Sequence, residues 1–235
     1  MDDCVRMRYL RSLLPTRWMA VAAVVLSLSS CERPVPFVDG PGEEMDGYGI
    51  EGKVMTSLGQ PLEHVAVLMS YDLQYLDSNP PPPREYVVPP PGQFVTVAVY
   101  DSENRIVRTI AAQQMEAGST LVLWDQLDDA GGDVPAGLYE VRYMVNDEVK
   151  RKYPVIVEGT PTAFTKSDGT FLIPAGNLPI GFSPLPLYSR TGQIFYGNYR
   201  VGSEVYLEFR ADSRSTSASV VLRQNRLTRL DIRLN

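Results

Sequence analysis

Residues 124–139, WDQLDDAGGDVPAGLY, gather Asp125, Asp128, Asp129 and Asp133 around the pair Gly131 and Gly132. Hard cations take several oxygen ligands on a flexible turn, so an acidic loop with central glycines invites a calcium reading. A calcium loop of the EF-hand kind needs acids at alternating positions, Gly at the sixth and a closing Glu at the twelfth. Counted from Asp125, the third, sixth and twelfth positions are Leu127, Ala130 and Ala136, and the pattern fails. The stretch reads instead as a hairpin loop. Its Asp and Gly residues suit tight-turn conformations, and Trp124 and Tyr139 face inward from the strands on either side.

Five strands are expected around that loop: residues 94–100, 106–112, 120–124, 137–145 and 149–157. The turns between them are DSENR, EAGS, DDAGGDVPAG and NDE. Tight spacing with alternating apolar residues predicts a small antiparallel sandwich.

The same stretch resembles the FlgD-type immunoglobulin-like domain. That family's signature runs V-x-V-Y-D, V-R-T-L, an A-G turn, W-D-G and a closing A-G-x-Y. Here the anchors are Val97 to Asp101, Val107 to Ile110, Ala117 with Gly118, Trp124 with Asp125, and Ala136 to Tyr139. Gln126 and Leu127 depart from the Gly-x usual in the turn. The resemblance implies an immunoglobulin-like sandwich over 93–159, entered through a Pro-rich linker at 78–92. There Pro80 to Pro83 and Pro89 to Pro91 favour extended polyproline conformation and cannot donate to a sheet.

On either side lies a second rhythm. GIEGKVMTSLGQPLEHVAVLM (49–69) reads as strands 50–56 and 65–71 joined at Gly59 and Pro61, and TKSDGTFLIP (165–174) as a hairpin with a strand at 170–173. GQIFYGNYRVG, EVYLEFRAD, SASVVLRQN and LTRLDIRLN follow as further strands. These segments resemble the carboxypeptidase regulatory-like family. The resemblance implies a transthyretin-like β-sandwich without catalysis of its own, split into 49–77 and 160–235. Nearly a hundred residues separate blocks that the family keeps about a dozen apart. The expected fold is therefore all-β: a transthyretin-like sandwich with an immunoglobulin-like sandwich inserted, at a loop tip where the two ends lie close together.

The N-terminus has a different character. Arg6, Arg8, Arg11 and Arg17 precede the apolar run MAVAAVVLSLSS, which is too short to span a bilayer's roughly 20 apolar residues. This is the plan of a secretory signal over residues 1–30; translation from Met7 would remove the discordant Asp2 and Asp3. LSSC, ending at Cys31, resembles the bacterial lipobox. That implies cleavage before Cys31 and acylation of its thiol and new amino group, a palmitate-type anchor in which each buried CH₂ contributes about 0.8 kcal/mol. Residues 31–48, rich in Pro, Gly and acid, then form a flexible tether. Glu32, not Asp, follows the cysteine, which favours the outer membrane. Loss of residues 1–30 removes four Arg and two Asp, leaving 18 basic against 26 acidic residues and a net charge of −8. That balance gives no electrostatic grip on nucleic acid.

Chemistry is sparse. His64 is the single histidine, and Cys4 leaves with the leader, so a zinc or catalytic His has no His or Cys partner. There is no G-x-S-x-G elbow, P-loop or H-E-x-x-H, and Glu43, Glu44 and Asp46 read as a solvated part of the tether. No cofactor, metal or catalytic residue is assigned. Exposed aromatic rings stack on sugars, and Tyr71 and Tyr75, beside DLQYLDSNPPPP, are the candidate ligand-binding residues. The expected function is non-catalytic: a binding, scaffolding or assembly module of the bacterial cell envelope, lipid-anchored through Cys31, with a protein partner. A glycan- or peptide-binding accessory lipoprotein and an enzyme with an unfamiliar site stay open. Strand edges left open would favour assembly by β-augmentation.

Overall fold

A computed structural model describes residues 47–235. In chain order its strands are β1 (Tyr48–Thr56), β2 (Ala66–Asp77), β3 (Tyr86–Val88), β4 (Gln93–Tyr100), β5 (Ile106–Met115), β6 (Gly118–Thr120) and β7 (Gly137–Val145). They continue as β8 (Glu148–Val157), β9 (Pro161–Phe164), β10 (Thr170–Ile173), β11 (Leu185–Tyr188), β12 (Phe195–Ala211), β13 (Arg214–Val221) and β14 (Arg226–Leu234). One 3₁₀ turn at Ala175–Asn177 is the only helical element among the described residues, so the chain is all-β there. The expected signal peptide, Cys31, and the acids Glu43, Glu44 and Asp46 lie outside the described residues. No helix within them is long and apolar enough to cross a membrane.

The first and last segments build one sandwich. One sheet has the order β10-β1-β14, with β1 parallel to β14; the other runs β11-β12-β2-β9, with β13 also paired to β12. Alternation drives the assembly. Leu230, Ile232 and Leu234 of β14 face inward between Arg229, Asp231 and Arg233, as a strand with period two requires. Against them lie Val205, Leu207 and Phe209 of β12, and Phe171 meets Phe209 edge-on at 5.4 Å.

Residues 86–157 build the second sandwich. A four-stranded antiparallel sheet, β5-β4-β7-β8, is faced by the ribbon β3-β6 and the segment that follows it. Val95, Val97, Val99, Val141, Trp124, Tyr139, Tyr143 and Tyr153 fill its core. The strand expected at 120–124 stops at Thr120, because residues 121–124 are held by side chains instead of a ladder. The Tyr143 hydroxyl accepts the Val122 amide at 2.6 Å, and the Tyr153 hydroxyl donates to the Val122 carbonyl at 2.6 Å. Tyr143→Phe strands a half-buried amide, and is expected to cost about 1–3 kcal/mol, read as a lowered urea midpoint with unchanged slope.

Other departures from the expected pattern have physical causes. The two strands expected from GQIFYGNYRVG and EVYLEFRAD are the single strand β12; Gly202 and Ser203, which look like a turn, form a bulge where Val201 faces Leu73 and Val205 faces Tyr71. Within the Pro-rich linker expected at 78–92, residues 86–88 pair with β6 and Val88 is fully buried, so that part belongs to the sandwich it was expected to lead into. The prolines themselves stay outside the ladder. β2 runs to Asp77, six residues past the expected end at Tyr71, and the chain returns beside Met69, whose carbonyl accepts the Gly159 amide at 2.8 Å. Departure and return are thus eight residues apart along β2, about 26 Å. The ends of the inserted stretch do not meet.

The two cores touch. Ala136 and Ile156 are buried in the first sandwich's core, and Leu138 packs against it. Asn177 Nδ2 donates to the Ala136 carbonyl at 2.8 Å, and the Ser102 hydroxyl donates to the Gly176 carbonyl at 2.7 Å.

Candidate functional site

The acidic loop binds its own backbone. Asp125 Oδ1 accepts the Leu127 amide at 3.1 Å, and its Oδ2 lies 3.4 Å from Arg108 Nη2. Asp128 Oδ1 accepts the amides of Ala130 at 2.9 Å and Gly132 at 2.8 Å. Asp129 Oδ1 accepts the Thr109 amide at 2.9 Å, and the Asp129 amide donates to the Val107 carbonyl at 3.2 Å. Arg108 Nη1 donates to the Asp128 carbonyl. Trp124 packs against Tyr139 with ring centroids 5.0 Å apart and planes tilted by 59°, as expected of an inward pair, and its Nε1 donates to the Leu127 carbonyl at 2.8 Å. The carboxylates of Asp125, Asp128 and Asp129 aim at separate amides, Asp133 lies 3.9 Å from Arg190 Nη2, and no group of three His, Cys, Asp or Glu among the described residues is disposed to hold a metal. What the loop occupies is the outer side of β5, an edge strand, whose open amide and carbonyl would otherwise invite another chain.

Tyr71 does not offer a stacking surface. It is 5% exposed, and its hydroxyl donates to the Asn177 carbonyl at 2.6 Å, so it is withdrawn as a ligand-binding residue. It sits at the junction of the cores, where its ring is needed as filling. Tyr75, four residues on, is 57% exposed and edge-on to Tyr199 at 5.6 Å; its ring lies against Gly197, where a Cβ would come within 2.8 Å of it. His64 has a φ of 58° and a side chain 80% exposed, with Nδ1 3.7 Å from Glu63. Nothing joins these residues into one site.

Sequence reasoning missed the junction cleft. Gln126, Asp133, Glu158, Thr160, Tyr188 and Arg190 line it. Beside it Arg84, from the Pro-rich segment, lays its guanidinium 3.6 Å over the Tyr188 ring and donates to the Gly192 carbonyl. Glu158 Oε1 accepts the Tyr71 amide at 2.8 Å, yet burial outweighs that bond and pushes its carboxyl up. A folded-state value above the unfolded one means the native state holds its proton longer, so this group's contribution is complete at acid pH and is lost as pH rises through the raised value. Gln keeps the acceptor without the charge. Glu158→Gln is therefore expected to raise the melting temperature at pH 7, with the gain vanishing below the ordinary Glu range. A gain of equal size at both ends would refute the assignment.

The strand edges are treated unequally. β8 and β11 lie against each other and carry Pro154 and Pro186, which have no amide to donate. β9 and β10 are four residues long and touch. The overhang of β2 carries Asp72 and Asp77, and β14 alternates Arg229, Asp231 and Arg233 outward. β13 has none of these protections. Its eight residues, RSTSASVV, pair with β12 in unbroken register, without proline or bulge and with one charge, Arg214, at its start. Among the described residues, no group hydrogen-bonds its outer side.

A four-stranded sheet faced by a ribbon, with Trp124 packed on Tyr139, places the second sandwich in the immunoglobulin-like class. Residues 76–147 match the FlgD Ig-like domain family. The match opens in the last two residues of β2, takes in the Pro-rich segment and closes in the β7–β8 turn, whereas residues 93–159 were expected. No curated protein and no solved structure matches the chain.

Proposed function

We propose that the protein is a non-catalytic module of the bacterial cell envelope, lipid-anchored at Cys31 on the outer membrane, that gathers a protein partner by strand addition at β13. In this reading the first sandwich is a carboxypeptidase regulatory-like domain, and the FlgD-type domain is carried on it. The observation behind the proposal is the eight-residue β13 edge, whose only charge is Arg214 at its start and which lacks the proline, bulge or loop that blunts other long edges. Backbone groups of an open edge supply affinity to an extended chain, and its alternate side chains supply selectivity.

The experiment is site-specific photocrosslinking in membranes, with a photoreactive side chain at Ser217 of β13 and, as control, at Asp231 of β14. Adducts from Ser217 and none from Asp231 are expected; no adduct from Ser217, or equal adducts from both, would sink the strand-addition reading. Cys31→Ala tests the anchor separately. Acyl labelling and membrane fractionation should both be lost, and their persistence would refute lipidation at that residue. A glycan-binding reading rests on the exposed ring of Tyr75 alone; it would require Tyr75→Ala to abolish retention on a polysaccharide matrix.

A further inference from the structure

Resting on the strand-addition reading, we infer that the chain added at β13 is β13 of a second copy, antiparallel, so that the two five-stranded sheets fuse across a twofold axis through Ala218. Homodimers form most often about such an axis, where one patch must complement itself. The β13 sequence does.

Faces set the register. Val220, Ala218 and Thr216 lie on the core side, opposite Val205, Leu207 and Phe209, while Val221, Ser219, Ser217 and Ser215 lie outward, opposite Glu204, Tyr206, Glu208 and Arg210. A continuous sheet must join core side to core side, so only residues of like parity can face each other across the axis. Centring on Ala218 sets Thr216 opposite Val220 of the other copy, a β-branched pair of the kind that stabilises neighbouring strands. On the outer face Ser217 meets Ser219, and Ser215 meets Val221, which is 62% exposed in the single chain. No charged pair is forced together.

The flanking rows bring no like charges together. Along one row the order becomes Arg210, Ser215, then Val221 and Glu204 of the second copy, so a cation ends one side and an anion the other. The same row recurs in reverse about the axis. Arg210 stays held within its own chain by the Glu208 carboxylate, at 2.7 and 2.8 Å, so the row sets no unpaired charge against the second copy. Edge pairing covers less surface than the roughly 1,200 Å² of a stable interface, so the contact is weak in solution. Copies held on one membrane by their lipids meet at far higher effective concentration.

The test uses the full-length protein in detergent and in vesicles. Ser217→Lys with Ser219→Lys sets Lys opposite Lys twice, and Ser217→Glu with Ser219→Glu sets Glu opposite Glu; all four side chains project from the outer face, clear of the core. Wild-type protein should show a concentration-dependent species of twice the monomer mass by analytical ultracentrifugation. Each double variant should raise the dissociation constant at least tenfold, and an equal mixture of the two should restore association. Register is read by mixing Ser217→Cys with Ser219→Cys, against wild type as control for Cys4 and Cys31: the mixture should form an interchain disulfide faster than either alone. Wild type that stays monomeric at high concentration in vesicles, or Lys and Glu variants that associate as wild type does, would overturn the dimer. Ser217 photocrosslinks that go only to other proteins would overturn it too, while leaving strand addition standing. Absence of any Ser217 adduct removes both.

Discussion

Gly52→Ala is expected to cost about 3 kcal/mol, at the upper end of overpacking penalties, and to lower the melting temperature by roughly 6–12 °C for a domain of this size. β1 is the middle strand of its sheet, with β10 on one side and β14 on the other, so it cannot shift sideways without breaking a ladder. A Cβ at Gly52 would fall 1.9 Å from the Leu230 carbonyl oxygen and within 2.8 Å of the Phe171 ring. Flexible side-chain ends can give way; a backbone carbonyl in a ladder cannot. Phe171 is also locked, because its ring meets Phe209 across the sandwich. The comparison is Gly59→Ala, in the exposed β1–β2 turn, where nothing lies within 4 Å of the added carbon. Its φ of 81° makes that substitution strained but not crowded. A Gly52 variant that melts like the Gly59 variant would mean that the Phe171 and Leu230 contacts do not constrain the core.

The amount legible in the sequence follows from how local each determinant is. Strands 137–145 and 170–173 end where alternation and flanking turn residues said they would, because both signals lie within a few residues. Trp124 and Tyr139 also read correctly as an inward pair, although the partner that makes the loop necessary, the open edge of β5, lies some twenty residues upstream. Gly202 and Ser203 misled, since the same residues serve a turn and a bulge, and only the facing strand distinguishes them. β9 and β11 carry Pro161 and Pro186, and proline argues locally against a strand. Tyr71 misled in the opposite direction: its neighbours in sequence suggest a surface loop, but Asn177, more than a hundred residues on, buries it. The β13 edge escaped notice for a related reason. RSTSASVV is an unremarkable hairpin arm until the strands around it are placed.

Closing the first sandwich without the inserted domain is expected to leave it folded but close to its limit of stability. The joint must respect the 26 Å offset between the ends: a short linker from Asp77 to Pro161 cannot span it, so failure of that version would report on reach and not on the core. The workable junction joins Asp72 to Glu158 through a tight turn, because Glu158 and Gly159 already hydrogen-bond Tyr71 and Met69. What is then lost is Ala136, Leu138 and Ile156 from the core, and the Asn177 bond to Ala136. Leu138 and Ile156 at roughly 1.5–3 kcal/mol each make a loss of about 3–6 kcal/mol, set against the 5–15 kcal/mol typical of a whole domain. The first half of β12 also loses β2 as partner beyond Tyr71. The shortened chain should keep a β-sheet circular dichroism spectrum, bind a hydrophobic dye at the uncovered Tyr71 surface, and unfold at a much lower urea concentration. Restoring apolar cover, by Asn177→Leu in the shortened chain, should recover part of the loss, because the amide has no carbonyl left to reach. Unchanged stability would mean that the inserted domain is cargo carried on an independent sandwich. Complete unfolding, with no rescue, would mean that the two cores are one.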